Sequence, residues 1–211
     1  MGPPSSGGAL LVNMLNMLEN YPMDTLGWNS SGYIHLLTEV ERRAYADRAE
    51  HMGDPDFWDV PISMLTSKDY AKNRIKNINL DFATLSSDIS ASKKVLYETE
   101  ETTHYSVVDR WGNAVSVTTT INLNYGNGCV VEGAGFFLNN EMDDFSSKPG
   151  VPNAFGLIGN EANAIEASKR PLSSMTPTIV LKGNKPFLII GSPGGSTIIT
   201  TILQTILNVV D

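Results

Sequence analysis

ETEETTHYSVVDRWGNAVSVTTTIN, residues 98–122, is where the chain changes its period. Upstream, apolar residues recur at helical spacing; from His104 onward apolar and polar residues alternate. HYSVVD, the turn RWGN and AVSVTTTIN predict an antiparallel hairpin. Its second strand sets Val115, Val117, Thr119 and Ile121 against Ser116, Thr118, Thr120 and Asn122. One face is therefore apolar and the other rich in hydroxyls.

Working outward, residues 8–20 (GALLVNMLNMLEN) space Leu11, Leu15 and Leu18 as a short amphipathic helix, with Ser5 and Ser6 before it as caps. A longer helix follows Ser30 and Ser31. Tyr33, Leu36, Leu37, Val40 and Ala44 form its apolar stripe, and Glu39, Glu41, Arg42 and Arg43 load the other face. Residues 53–61, with two prolines and three acids, predict a loop, and residues 67–80 a third, shorter helix. Residues 80–101 are polar and weakly patterned, as in an exposed, mobile linker. Beyond the hairpin, GFFLNN predicts a short strand, residues 176–191 a second hairpin turning at Gly183 and Asn184, and residues 194–210 a closing helix. Helices first, strands second and a helix last predict a layered α+β domain with a mainly antiparallel sheet.

The chain has 211 residues, 41% of them hydrophobic, enough for one sizeable core or two small ones. Its net charge of −8, with scattered basic residues, leaves no electrostatic footprint for nucleic acid. One cysteine excludes an internal disulfide framework, and three histidines are too few for a Cys/His zinc cluster. No apolar run reaches the roughly 20 residues of a membrane-spanning helix. Both ends are abrupt, a Pro/Gly/Ser loop and an apolar helix, and they predict that flanking chain is missing.

Several stretches carry chemistry or plain structure equally well on their own. GSPGGSTIITT, residues 191–201, is either a strand-to-helix turn capped by Ser196 or a cradle whose backbone N–H groups approach a ligand oxygen. It lacks the lysine of a nucleotide-binding loop. NNEMDDF, residues 139–145, is a solvated loop or a carboxylate cluster, and PLSSMTPT, residues 171–178, a turn or a pair of fixed hydroxyls. His104 shares a strand face with Thr102, as a base or as a structural histidine. A threonine hydroxyl becomes a nucleophile only beside a base. Cutting the bond before Thr102 would supply one, because a free α-amino group has a reference pKa of about 7.7–8.0.

TTHYSVVD, TTTIN, NNEMDDF, PLSSMTPT and GSPGG, in this order, resemble the γ-glutamyltranspeptidases, members of the N-terminal nucleophile hydrolases. Upstream, GPPSSGG, AYADRAEHMGDPDF and AKNRI resemble the end of that family's large subunit, so the likeness runs over nearly the whole chain. It implies an αββα-layered sandwich, here incomplete at both ends, made as one precursor. Self-cleavage between Glu101 and Thr102 would divide it into residues 1–101, the end of the large subunit, and 102–211, the start of the small one. Thr103 is the competing register. The resemblance makes Thr102 the nucleophile and its own base, with Thr120 orienting the hydroxyl. Asn122, Glu141 and Asp144 then hold the donor's α-amino group, Ser173 and Ser174 its α-carboxylate, and Gly194 and Gly195 the oxyanion.

The implied reaction needs no cofactor or metal. A γ-glutamyl group passes from a donor such as glutathione to Thr102 as an ester, and from there to water or to an amino-acid or peptide amine. The family also uses an arginine from far upstream of GPPSSGG, which this chain does not contain. KPGVPNAFGLIGN resembles the lid loop, with Phe155 where many bacterial relatives carry tyrosine, and Glu141 stands where some carry glutamine. A periplasmic or extracellular location follows from the resemblance. Two alternatives stay open: a cephalosporin acylase or poly-γ-glutamate transpeptidase on the same scaffold, and an inactive truncated segment.

Overall fold

The computed structural model describes residues 1–89, 102–146, 148–151 and 157–210. Among these the order is α1 (Gly7–Leu18), α2 (Met23–Leu26), α3 (Ser31–His51), α4 (Ile62–Leu65), α5 (Lys68–Arg74), β1 (Thr103–Val108), β2 (Ala114–Thr119), β3 (Thr178–Lys182), β4 (Lys185–Ile190) and α6 (Ile198–Val210). Short 3-10 turns at Glu141–Asp144 and Gly195–Thr197 matter for the site. This is an α+β fold. No helix among the described residues is long and apolar enough to cross a membrane.

The core lies between α1, α3 and α6. Met14, Met17, Leu36, Val40, Ile199 and Leu203 are buried together there, and Tyr33, Leu65 and Leu172 belong to the same cluster. Fully burying each large apolar side chain favours folding by about 1.5–3 kcal/mol. The α6 stripe of Ile198, Ile199, Ile202, Leu203, Ile206 and Leu207 is thus a central element of the core. Ser30 caps α3 by accepting from the Tyr33 N–H, and Ser67 caps α5 by accepting from Tyr70. Ser6 sits at the start of α1, but its hydroxyl donates to the Ser173 carbonyl at 2.8 Å instead of capping.

The acid and base residues of α3 do not all face solvent. Glu39 and Arg43 are buried, one turn apart, with Arg43 Nη1 2.6 Å from Glu39 Oε2. The guanidinium also donates to the Arg74 carbonyl, Asn77 Oδ1 and Thr84 Oγ1. Thr84 donates to Glu39 through its N–H and its hydroxyl, at 3.1 and 2.6 Å. Burial pushes the Glu39 carboxyl up, but the hydrogen bonds from Thr84 and Arg43 outweigh it and leave the group below its usual range. Residues 80–89 are therefore not a free linker: Thr84 is docked on α3, and Ile89 is buried. Residues 90–101 lie outside the described part.

Both hairpins form in antiparallel register. Thr103 faces Thr119 and Val108 faces Ala114; Thr178 faces Ile190, with an irregularity between Val180 and Leu181. The hydroxyl face of β1 and β2 is the inward one: Ser106 Oγ donates to the Ile189 carbonyl and Ser116 Oγ to that of Ile190. Tyr105, Val107 and Val115, on the apolar face, are exposed. GFFLNN is not a strand. Phe137 makes only an isolated bridge to Val130, because this segment turns back on itself through Gly133 and Gly135.

The two ends of the sequence are tied at several points. Ser5 bridges Ser173, Ser6 N–H donates to the Ser173 carbonyl, and Ser173 N–H donates to the Pro4 carbonyl. Asp54, fully buried, pairs with Arg170 Nη2 and accepts from Arg170 N–H and Nε at 2.8 and 2.9 Å.

Two expectations follow for the folded protein. Arg43→Ala leaves the buried Glu39 with only the partly exposed Arg42, 2.9 Å from Glu39 Oε1, as its cation, and should cost about 3 kcal/mol in urea unfolding, while Glu39→Ala/Arg43→Ala should cost less than the sum of the singles. Additive losses would show that the pair is not coupled. Asp54 differs in sign of pH effect from a buried neutral acid, because Arg170's hydrogen bonds, despite burial, hold its carboxyl far below the usual range. A group depressed in this way adds stability above its unfolded value of about 4 and loses it as pH falls toward the folded value. Asp54→Asn should lower the thermal midpoint at neutral pH and reduce its fall in acid; an unchanged acid profile would refute this.

Candidate active site

Thr102 immediately precedes β1 and Thr120 immediately follows β2, so continuing the register one step past Thr103 and Thr119 sets them opposite each other. Both are on the inward, hydroxyl face of the hairpin, and both line one small cleft of about 30 Å³. Asn122, Asp144, Ser173, Ser174 and Gly195 line it too, joined by Arg48, Leu157, Leu172, Met175, Ser196 and Ile198. Seven sequence-selected residues from four separate stretches thus meet at one place.

The loop after β2 is locked to the acidic loop. Asn122 takes a positive φ of 75°, a conformation asparagine tolerates better than most residues, with its N–H donating to Thr120 Oγ1 at 2.9 Å. Its Nδ2 donates to the Asn140 carbonyl, and Asn140 Oδ1 accepts from Leu123 N–H. The turn Glu141–Asp144 follows directly. Glu141 does not line the cleft; it is hydrogen-bonded to Asp144 behind it. Burial raises both carboxyls above their usual range, Asp144 more strongly because the Glu141 charge adds to the effect. Two carboxyls in contact and half-removed from water retain a proton between them. Asn163 Nδ2 holds the Asp144 carbonyl at 2.7 Å.

Ser173 and Ser174 are held by the N-terminal loop. Ser5 Oγ donates to the Met175 carbonyl and Ser6 Oγ to that of Ser173, at 2.7 and 2.8 Å. Ser173 Oγ accepts from Met175 N–H at 3.0 Å, and Ser174 Oγ accepts from Arg48 Nη2 at 3.1 Å. Gly194 and Gly195 have φ of 126° and 52°, which side-chain-bearing residues rarely adopt. Gly195 lines the cleft and Gly194 is buried beside it. Ser196 is inside the Gly195–Thr197 turn, not a helix cap, and Tyr45 of α3 donates to its carbonyl.

His104 is structural. Its Nδ1 contacts Thr118 Oγ1 at 2.8 Å and its Nε2 contacts Ser106 Oγ at 3.1 Å. The ring packs where a side chain on Gly191 would be, 2.0 Å from an ideal Cβ, and burial lowers its pKa. Glu101 and Phe155 fall outside the described residues, as do residues 152–156 of the lid stretch as a whole. Among the described residues no cluster of His, Cys, Asp and Glu could hold a metal ion.

Two residues of α3, Tyr45 and Arg48, were missed by sequence reasoning. They are three apart and so share a helix face, Tyr45 reaching the glycine turn and Arg48 the serine pair. Arg48 is 4% exposed and also donates through Nε to Ser6 Oγ at 2.9 Å. Burial lowers its pKa, opposed by Tyr45 and Asp144, yet a guanidinium keeps its charge. The available signal was position: Arg48 continues the spacing Tyr33, Leu37, Val40, Ala44 and so extends the buried stripe.

The family model for gamma-glutamyltranspeptidase matches residues 1–211. A glutathione hydrolase proenzyme of Escherichia coli (strain K12) is 54% identical over 100% of this chain and 36% of its own length. One from Bacillus subtilis (strain 168) is 43% identical over 97% and 36%. An acylase ACY 1 proenzyme of Pseudomonas sp. (strain SE83) is 37% identical over 99% and 35%. A crystal structure of acivicin-inhibited gamma-glutamyltranspeptidase matches 52% of this chain and 58% of its own at TM-score 0.51 and 73% identity. A cephalosporin acylase from Bacillus halodurans covers 100% of this chain and 35% of its own at TM-score 0.74 and 20% identity, a likeness of fold alone. The chain thus spans little more than a third of the curated relatives it matches, and it belongs to the gamma-glutamyltranspeptidase family.

Proposed function

We propose that this chain is the segment of a γ-glutamyl transferase or glutathione hydrolase that spans the self-cleavage point, the bond between Glu101 and Thr102. The observation that carries this reading is the single cleft lined by Thr102, Thr120, Asn122, Asp144, Ser173, Ser174 and Gly195. Glutathione is the donor in this reading because glutathione hydrolases are 43–54% identical across the chain. The α+β fold, with helices packed on two hairpins, is then part of an αββα sandwich in a periplasmic or extracellular protein.

Cleavage releases the Thr102 α-amine, which takes the proton of the Thr102 hydroxyl as that oxygen attacks the donor's γ-carbonyl carbon. Thr120 orients the nucleophile from the opposite strand. Gly194 and Gly195 stabilise the oxyanion, each such donor being worth about 2.7–4 kcal/mol. The amine returns its proton to the departing nitrogen, leaving a threonyl ester and free amine product. Water or an acceptor amine then attacks the ester and restores Thr102. Asn122 and Asp144, with Glu141 acting from behind through Asp144, hold the donor's ammonium, and Ser173 and Ser174 its α-carboxylate. Such a donor site suits a free γ-glutamyl group better than the side chain of an acylase substrate.

Purified full-length precursor should split into two bands, the smaller beginning Thr-Thr-His-Tyr, and Thr102→Ala should stay whole. A first residue two positions before Tyr105 would move the nucleophile to Thr103; an intact wild-type precursor would sink the mechanism. The cleaved protein should release p-nitroaniline from γ-glutamyl-p-nitroanilide, whereas activity confined to glutaryl amides would favour the acylase reading.

The carboxyl pair gives a pH signature. Raised acid pKa values in the folded state favour the empty fold below the unfolded value of about 4, and that contribution is lost as pH rises toward the folded values. Donor binding runs the other way, because an ammonium replaces the retained proton. KM for γ-glutamyl-p-nitroanilide should therefore fall as pH rises from weakly acid to neutral, and Asp144→Asn should raise KM and flatten the profile. An unchanged profile in Asp144→Asn would remove the pair from the donor site.

A further inference from the structure

We propose that Arg48 is a positioning residue for the donor's α-carboxylate, fixing the Ser174 hydroxyl with its proton toward the cleft and placing a positive charge beneath it. The inference rests on the assignment of Ser174 to the donor carboxylate. Arg48 Nη2 donates to Ser174 Oγ at 3.1 Å and Nε to Ser6 Oγ at 2.9 Å. A hydroxyl that accepts an N–H with its lone pair keeps its own proton for another acceptor. No other hydrogen bond to Ser174 Oγ is found among the described residues, and Ser174 lines the cleft. The acceptor that fits is an anion entering there.

The charge points the same way. None of the ion pairs among the described residues includes Arg48, although it is 4% exposed. A buried cation is costly without a counter-charge. Its neighbour across the cleft, Asp144, is hydrogen-bonded to Glu141, and that pair holds a proton in the empty site. A donor carboxylate supplies the missing negative charge. Ser6 fixes the guanidinium from behind, since its hydroxyl accepts from Arg48 and donates to the Ser173 carbonyl. Arg48, Ser6 and the serine pair are thereby one connected unit, spanning the two sides of the proposed cut.

The test compares two donors on cleaved full-length enzyme: γ-glutamyl-p-nitroanilide, and 4-aminobutyryl-p-nitroanilide, which keeps the ammonium but lacks the α-carboxylate. Arg48→Met should reduce the kcat/KM preference for the glutamyl donor by roughly tenfold or more, through KM rather than kcat. Arg48→Lys should recover part of it. Arg48→Met/Ser174→Ala should be little worse than either single variant, as expected of one coupled unit. Equal losses on both donors, or full additivity with Ser174→Ala, would overturn the inference. If Ser174→Ala itself leaves the glutamyl KM unchanged, the donor-site assignment fails instead. Ser6→Ala retains the charge but frees the guanidinium, and should raise the glutamyl KM about threefold. If the Arg48 variants do not self-cleave, Ser6→Ala decides; failure of all three to cleave assigns Arg48 to assembly and also overturns the proposal.

Discussion

The cleft depends on a short lock between the first residues of the chain and the serine loop some 170 residues later. Ser173 N–H donates to the Pro4 carbonyl and Ser6 N–H donates back to the Ser173 carbonyl, a two-way backbone pairing with the geometry of a parallel bridge. Hydroxyls of Ser5 and Ser6 reinforce it on the carbonyls of Met175 and Ser173. Backbone groups removed from water must be paired, so this short contact satisfies both loops at once. It also fixes where α1 begins, and α1 is the helix against which α3, α5 and α6 pack. The position of Ser174 is thereby referred to the hydrophobic core, not to its own flexible turn.

Helix α3 carries that core position to the cleft. Its stripe of Tyr33, Leu36, Leu37, Val40 and Ala44 is buried, yet Glu39, Arg43, Asp47 and Arg48 are buried as well. A helix covered on both sides has nowhere to expose its charges, and it keeps them only where partners are supplied. Glu39 is paired with Arg43 and, at the surface side, Arg42, and both Glu39 and Arg43 bind Thr84; Asp47 accepts from Tyr70 and Arg74. Arg48 is the exception, bonded to two neutral hydroxyls. An ion held by neutral groups beside a cleft is what the proposed anion site would require, whereas the paired ions serve packing.

The legible and illegible parts of this fold divide on whether the signal is local. The helices at Gly7–Leu18 and Ser31–His51, their interruption at residues 53–61 and both hairpins are set by neighbouring residues, so spacing and turn chemistry revealed them. The burial of Glu39 and Arg43 was not legible, because a charged helix face looks solvated until Thr84, 45 and 41 residues away, is known to cover it. The same holds for the hairpin face. Alternation identified two faces, but which turns inward depends on Ile189 and Ile190 accepting from Ser106 and Ser116. GFFLNN read as a strand from apolar content alone, and its glycines made turns instead. At the site, Thr102, Thr120, Asn122, Asp144, Ser173, Ser174 and Gly195 line the cleft, with Glu141 and Gly194 beside it, since the motifs combine distinctive residue types. Arg48 lay inside an ordinary helical pattern and had no such mark.

The arrangement of charge at the cleft bears on how one threonine can be both nucleophile and base. A free α-amine is useful to a threonine hydroxyl only in its neutral form, and its reference pKa of about 7.7–8.0 would leave most of it protonated at neutral pH. A nearby cation favours the neutral form, and a nearby anion opposes it. In the empty cleft the Glu141 and Asp144 carboxyls retain a proton, so their opposition is reduced, while Arg48 keeps its charge. In the proposed binding mode a donor would add an ammonium near the carboxyls and a carboxylate near Arg48, two charges of opposite sign. In the proposed mechanism the buried arginine would therefore do more than balance a substrate carboxylate: with the carboxyls neutralised, it would help keep the Thr102 amine free to accept the hydroxyl proton.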